Sequence, residues 1–407
     1  MSEPTTQQGA PELERRGRIG LVPARFGPGM VGGAEIVMAE IAQGLKARGW
    51  DVEILTTCAK DHFSWRNELP AGLAEEDGLA VRRFPVVMED IAERGVLEHA
   101  IVSGAELSIT QQQRWMNSGM RVPELFHYLL DHSDDYRALV FTPYPFWVTF
   151  ACSQVAPDRS LLWTCLHDEP YARLELFQPV LTGVAGLFFQ SKPEHELAHR
   201  IVKPLAPHAE IGCGVDVPQK YDPDGFRERY NIDGRFVLYS GRREGAKGWP
   251  DLLTNFAGAV GRYDIPFKLV TMGAGPIDAP PEIADRVVDV GFLSNDERDN
   301  AFAAADAYLQ PGRWEAFSRT IMEAWLAGTP VIANNSSEVV RWHCGRSGAG
   351  LTYDDQHEFE QCLAFVSEAP DAAAALARSG RDYVLAHYTW DAVLDRFEAG
   401  LGEWTRP

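Results

Sequence analysis

Two clusters in the second half of the chain have residue types and spacing suited to phosphate and hydroxyl chemistry. The first is Gly241-Arg-Arg-Glu-Gly-Ala-Lys-Gly248, directly after the apolar run Phe236-Val-Leu-Tyr239. A strand that ends in a glycine-rich turn, followed by cations and a helix start, can hold phosphate, because amide N–H groups and guanidinium donors converge there. Arg242 and Lys247 are the candidate cations; a basic loop of this kind also fits solvated surface. The second cluster is Trp314-Glu-Ala-Phe-Ser-Arg-Thr-Ile-Met-Glu323. A helix expected over 318–326 would present the N–H groups of Phe317, Ser318 and Arg319, which favour an anion. Carboxylates beside such a site repel phosphate, so sugar hydroxyls are the fitting targets for Glu315 and Glu323. Taken alone, Glu315 also reads as a helix cap and Glu323 as a solvated helix residue.

Two histidine-bearing segments lie in the first half. Cys165-Leu-His-Asp-Glu-Pro170 closes an apolar strand, which puts His167 where open α/β sheets bind ligands. An unpaired core histidine is the other reading. His195-Glu-Leu-Ala-His199 matches H-E-x-x-H. On a helix its two histidines share a face and could bind zinc, with Glu196 as base, so a zinc-dependent hydrolase is the alternative function. The context points away from it. Ser191-Lys-Pro-Glu194 is a capping box that opens the helix, and Glu210 and Asp216, the nearest candidates for a third ligand, are read as loop residues. Asp222-Pro-Asp224 matches D-x-D but sits in a proline-rich stretch without a flanking strand, and it is read as a turn. No metal is expected.

The elements that must position these residues alternate in the manner of doubly wound α/β folds. Strand 18–22, a glycine-rich loop through Gly32 and Gly33, helix 34–48 and strand 52–56 form the first unit. Apolar runs 138–141, 161–166 and 186–189 continue it, and residues 86–135 read as a mostly helical insertion. A proline- and glycine-rich crossing falls near 204–224. A second series follows: strands 236–239, 267–270, 287–290, 307–309 and 330–333, with helices at 249–260 and 318–326 and a terminal helix at 390–400. The expected architecture is therefore two facing Rossmann-like domains. A disordered tail covers 1–16. The first domain covers 17–205 and takes back the C-terminal segment 388–407, and the second covers 206–387.

Bulk properties agree with a two-domain globular enzyme. The chain has 407 residues, and single cores rarely grow beyond ~250–300 residues. The net charge of −20 disfavours nucleic acid and leaves at most peripheral membrane contact. The most apolar window, 138–155, contains Pro143 and Pro145, and it divides into strand, turn and helix better than it spans a bilayer. Six cysteines without a C-x-x-C pair read as reduced thiols in a cytoplasm, and the polar N-terminus shows no signal peptide.

Taken in order, these segments resemble the retaining glycosyltransferase family 4, of the GT-B fold. The resemblance rests on Gly241-Arg242, Lys247-Gly248, Asp251-Leu-Leu253, Gly273-Ala-Gly-Pro276, Gly291-Phe292, Glu315 and Glu323 with seven residues between, and Gly328-Thr-Pro-Val-Ile332. In the first half it rests on Gly32-Gly-Ala-Glu35 and Gly49-Trp-Asp-Val52, and further along on Gly214-Val-Asp216 and Tyr388-Thr-Trp390. It covers the chain apart from the first 16 residues and the insertion. It implies a metal-independent transfer of a sugar from a nucleoside-diphosphate sugar to an acceptor hydroxyl, with retention at the anomeric carbon, in the cleft between the domains; a non-catalytic nucleotide-sugar-binding protein is a further alternative, which the presence of His167 and Glu315 disfavours. Arg242 and Lys247 would neutralise the pyrophosphate. Glu323 would bind ribose and Glu315 the transferred sugar. The amides of Phe317 and Ser318 would meet a phosphate, and His167 would stand beside the reacting sugar. Gly32, Gly33, Gly241, Gly275 and Phe292 would line the donor. The acceptor would be a glycan, glycolipid or small molecule, in surface-glycan, glycolipid or natural-product glycoside synthesis, and no further cofactor is implied. One departure is Ser318, where the family often has glycine: a Cβ narrows the phosphate approach, while the hydroxyl can add a donor. Pro311-Gly312 is another, where Pro-Ser is common.

Overall fold

The structure, a computed structural model, describes residues 16–405 apart from 28, 31 and 264. The tail expected over 1–16 lies outside these, except for Arg16, whose guanidinium donates to Glu398.

The first half carries strands β1 (Arg18–Pro23), β2 (Asp51–Thr57), β3 (Gly72–Glu76), β4 (Leu79–Phe84), β5 (Val87–Glu89), β6 (Gly119–Arg121), β7 (Ala138–Thr142), β8 (Ser160–Trp163), β9 (Gly186–Phe189) and β10 (His208–Glu210). Eight of them form one sheet in the order β10-β9-β8-β7-β1-β2-β4-β3, while β5 and β6 pair separately. Every pair of the large sheet is parallel except β3 with β4. The second half carries β11 (Arg235–Ser240), β12 (Phe267–Met272), β13 (Val287–Gly291), β14 (Ala307–Gln310), β15 (Val331–Asn334) and β16 (Gly350–Tyr353). They form an all-parallel sheet in the order β13-β12-β11-β14-β15-β16. Strands such as β7, β8, β9 and β14 are buried along their whole length, which is what helices on both faces of a parallel sheet require.

Three features differ from the sequence expectations. The crossing stretch 204–224 contains β10, which pairs with β9 as the edge of the first sheet, so that sheet extends to Glu210. The strand expected over 161–166 stops at Trp163, and the chain turns through Cys165 at φ +52° before reaching His167. The β3–β4 hairpin was not anticipated. Its two-residue loop is Asp77-Gly78, both at positive φ, and Asp-Gly is the favoured pair for such a turn.

The insertion forms helices Ile91–Val102, Ile109–Asn117 and Pro123–His132. Trp115 and Met116 are buried in one cluster with Leu162 and Phe189 of the main sheet, and Phe126 and Tyr128 pack against that cluster. The insertion is thus tied to the domain core. Among the described residues no helix is long and apolar enough to cross a membrane.

Helix Trp390–Trp404 returns to the first sheet, where Phe397 stacks on Phe188 with centroids 4.6 Å apart. The two halves also meet where Val215 N donates to Tyr388 O at 2.9 Å, and where Arg319 donates to both carboxylate oxygens of Glu40 at 2.8 and 3.2 Å. Phe397 is fully buried, so Phe397→Ala should destabilise the protein by about 3–5 kcal/mol through lost packing and the cavity left behind. Urea unfolding followed by tryptophan fluorescence measures this, and a loss below about 1 kcal/mol would show that the returning helix is not part of the first domain's core.

Candidate active site

In each sheet the chain builds outward in one direction and then returns to the other side of the starting strand. The reversals fall between β1 and β7 and between β11 and β14. At such a switch point neighbouring loops diverge at the carboxyl ends of the strands and leave a crevice for a ligand. The candidate residues lie on these loops.

The loop after β11 is held by its own backbone. Gly241 N donates to Met272 O at 3.0 Å and Arg243 N to Ala274 O at 2.8 Å, and the Tyr239 hydroxyl donates to Arg242 O at 2.7 Å. Gly273, at φ +130°, permits the approach: a Cβ there would lie 2.1 Å from Gly241 O. The adjacent arginines have opposite fates. Arg243 is buried, donates to both oxygens of Asp289 at 3.0 Å and to Gly275 O at 2.8 Å, and so braces the loop from below. Arg242 is exposed and, among the described residues, pairs only with Glu244 at 3.0 Å, which leaves it able to turn toward an anion.

Lys247 crosses to the loop after β14, where its ammonium lies 3.0 Å from Glu315 Oε1. The two loops touch at Gly248, whose φ of +73° and missing Cβ let it sit against Pro311 O; a Cβ would be 2.5 Å away. Gln310 fixes the same loop, donating to Glu315 Oε1 at 3.3 Å and to Ser318 Oγ at 2.7 Å. The helix begins at Arg319, one residue later than expected, with Ser318 as N-cap in the left-handed region at φ +64°. The amides of Phe317 and Ser318 therefore lie in the turn that enters the helix. The Phe317 ring is buried edge-on against His343 and Tyr388, with centroids 5.0 and 4.9 Å away, so only its backbone is available to a ligand.

Glu323 is not a solvated helix residue. It is 10% exposed and pairs with Arg298, from helix Asn295–Ala304, at 3.1 Å. A carboxylate has about four lone-pair sites, so this pairing leaves capacity for hydroxyl donors. Phe292 follows β13 and is 72% exposed. Gly275 sits at φ +113° against the Arg243 backbone.

The first domain supplies the opposite wall. Helix Gly33–Ala47 starts at Gly33 with Gly32 as its N-cap. A Cβ on Gly32 would strike the Glu35 carboxylate, whereas a Cβ on Gly33 would meet nothing within 4 Å. The protein's own packing therefore does not demand glycine at 33, which is compatible with close approach of a ligand. His167 comes from the turn after β8. Leu166 N donates to buried Glu194 at 2.6 Å, and Glu169 N donates to His167 O at 2.8 Å. Burial pushes the His167 imidazolium below its ordinary range. Glu169 and Glu315 oppose this shift and Lys247 adds to it, so His167 is neutral at pH 7 and lies within the field of the Lys247–Glu315 pair. His167, from the first domain, is thus within electrostatic range of Lys247 and Glu315 of the second.

Sequence reasoning missed Gln310, Arg298 and Tyr144, whose hydroxyl donates to Glu169 at 2.7 Å. Arg298 and Tyr144 carry no local signal, because each acts through a partner from another element, Glu323 and Glu169; Gln310 acts within its own loop on Glu315 and Ser318. The zinc motif also needs correction. Glu210 lies on β10 and not in a loop, and His208 on the same strand stands beside His195 and His199.

Two doubly wound α/β sheets, each with a switch point, are the architecture of the GT-B fold. Residues 234–368 match the family described as Glycosyl transferases group 1. The chain is 23% identical to the D-inositol 3-phosphate glycosyltransferase of Saccharomonospora viridis, over 91% of this chain and 90% of that one. Its fold matches sucrose-phosphate synthase from Thermosynechococcus elongatus with a TM-score of 0.71 at 18% identity, covering 95% of this chain and 99% of the other. It also matches Anabaena HepE, solved with UDP and glucose, with a TM-score of 0.68 at 15% identity, covering 95% and 99%. At such identities the structural matches show the fold alone. The chain thus has the GT-B fold, and its second half is similar to the group 1 glycosyltransferases.

Ser318 sets two terms against each other. Left-handed backbone costs a non-glycine residue about 1–2 kcal/mol, while the Gln310 hydrogen bond returns about 0.5–1.5 kcal/mol. Ser318→Gly should accordingly stay within about 1 kcal/mol of wild type in chemical denaturation. Ser318→Val, which loses the bond and keeps the strain, should be clearly less stable. Equal stability of the two variants would contradict this account.

Proposed function

We propose that this protein is a retaining, metal-independent glycosyltransferase that moves a sugar from a nucleoside-diphosphate sugar to an acceptor hydroxyl. The observation that carries the reading is the Lys247–Glu315 pair at the switch point of the second sheet, set within electrostatic reach of His167 from the first. Charge develops on the leaving diphosphate in the transition state, and preorganised donors that meet it there lower the barrier. Lys247 has three N–H donors, so it can keep Glu315 in place and still meet a phosphate oxygen. Arg242 swings in from the exposed side. The turn amides of Phe317 and Ser318, at the positive end of helix Arg319–Leu326, add fixed dipoles.

Glu315, oriented by Lys247 and Gln310, accepts from hydroxyls of the transferred sugar. Glu323 accepts from the ribose while Arg298 balances its charge. Neutral His167 can accept or donate at the reacting sugar, and Gly33 lets the first domain close on the donor. Exposed Phe292 offers a face for the base. The leaving phosphate takes the acceptor proton, so no separate protein base is needed. The acceptor, a glycan, glycolipid or small molecule, meets the first domain and its helical insertion. Six unpaired cysteines fit a reducing cytoplasm.

Lys247→Ala should lower turnover roughly tenfold or more, the loss of one charge-assisted hydrogen bond worth about 1.5–3 kcal/mol. Near-wild-type turnover would remove the phosphate assignment. Glu323→Ala should mainly raise KM for the donor, whereas Glu315→Ala should lower kcat. Proton NMR of the fresh product should show the donor's anomeric configuration, and an inverted product would refute the stereochemical reading. Excess EDTA should leave transfer largely intact; complete loss would argue for a catalytic metal.

A further inference from the structure

We propose that His195, His199 and His208 form a binding site for a zinc-type divalent cation, separate from the donor cleft, which clips the edge strand β10 to helix Lys192–Ile201. One ring nitrogen from each histidine lies within 4.8 Å of the others. His195 and His199 are one helical turn apart and share a face. His208, nine residues beyond His199, is brought beside them because the chain returns as β10 along β9.

The surroundings have the features of a ligand shell. His195 Nδ1 lies 2.9 Å from Glu210 Oε1, and His208 Nδ1 lies 2.9 Å from Ala206 O. Both contacts place the ring proton on Nδ1 and leave the Nε2 lone pair free. Carboxylate and carbonyl partners of this kind fix the tautomer of metal-bound histidines. His195 Nε2 is itself buried and has no hydrogen-bond partner among the described residues, an arrangement that costs free energy unless something fills it. Three imidazole ligands suit zinc and its neighbours among the divalent transition metals. Tetrahedral coordination at Zn–N of about 2.0–2.1 Å sets the nitrogens roughly 3.3 Å apart, so the rings must draw in by small side-chain rotations.

The geometry speaks against a hydrolase at this site. Glu196, the base such a motif would need, is exposed and pairs with Lys192 at 3.5 Å on the neighbouring helix face. The site instead fastens a helix that matters elsewhere. Glu194 on that helix accepts from Thr164 Oγ1 at 2.5 Å, Leu166 N at 2.6 Å and Gln190 N at 2.5 Å, and so braces the turn that presents His167. A cation at the three histidines would stiffen this brace without touching substrate.

The test uses the full chain, stripped with EDTA, desalted and titrated with zinc chloride. One zinc per chain is expected by calorimetry and by metal analysis after gel filtration, with a rise in melting temperature. His199→Gln, at a half-exposed position, should weaken zinc binding more than tenfold while far-UV circular dichroism stays unchanged. Glu210→Gln, which disturbs only the partner of His195, should weaken it by about 10–100-fold. Transfer activity of the stripped protein should persist, so this site and the transferase reading fail independently. Absence of stoichiometric zinc, or wild-type uptake by both His199→Gln and His208→Gln, would overturn the proposal.

Discussion

Lys247 and Glu315 can meet at 3.0 Å only because β11 and β14 lie side by side, although 68 residues separate the partners in sequence. A parallel sheet delivers every following loop to the same edge, and the reversal of strand order keeps other loops out of the gap between these two. The remaining features of the second half serve this contact. Gly248 lets the loops touch, Gln310 holds the acid and Arg243 braces the basic loop from beneath. Half-buried ion pairs gain little net stability, so the worth of this one lies in fixing the direction of a cation and a carboxylate toward one point.

The first domain completes the site by a different route. Its wall is set by Arg319 gripping Glu40 across the interface, by the shared crossing at Val215 and Tyr388, and by the helix that leaves the second domain to pack on the first sheet. These contacts bring His167 into the field of Lys247 and Glu315. Burial keeps the histidine neutral, the form that can both donate and accept a hydrogen bond. Glu194 secures the turn beneath it, and burial raises that carboxyl to about 7 despite the three donors it accepts.

Ser318 shows how a local departure is absorbed. Its left-handed backbone is what the turn into helix Arg319–Leu326 demands, and glycine would meet that demand without strain. The serine brings a hydroxyl that joins Gln310, which lies within reach because Gln310 ends β14. The same loop then carries strain and a compensating hydrogen bond at the place where a phosphate would approach.

Much of this was legible along the chain. Apolar runs bounded by glycine marked the strands, and the positions of Gly241, Lys247, Glu315 and Glu323 marked the segments that follow β11 and β14, because strand, turn and helix start are written in consecutive residues. Asp77-Gly78 also carried a readable hairpin signal. Partners between distant segments were decided by the tertiary structure alone. The sequence does not show that Arg243 turns inward while Arg242 stays out, that Glu323 meets Arg298, or that β10 brings His208 to His195 and His199. Local propensity depends on neighbours within a few residues, whereas these contacts depend on which strands lie side by side and on how deeply each group is buried.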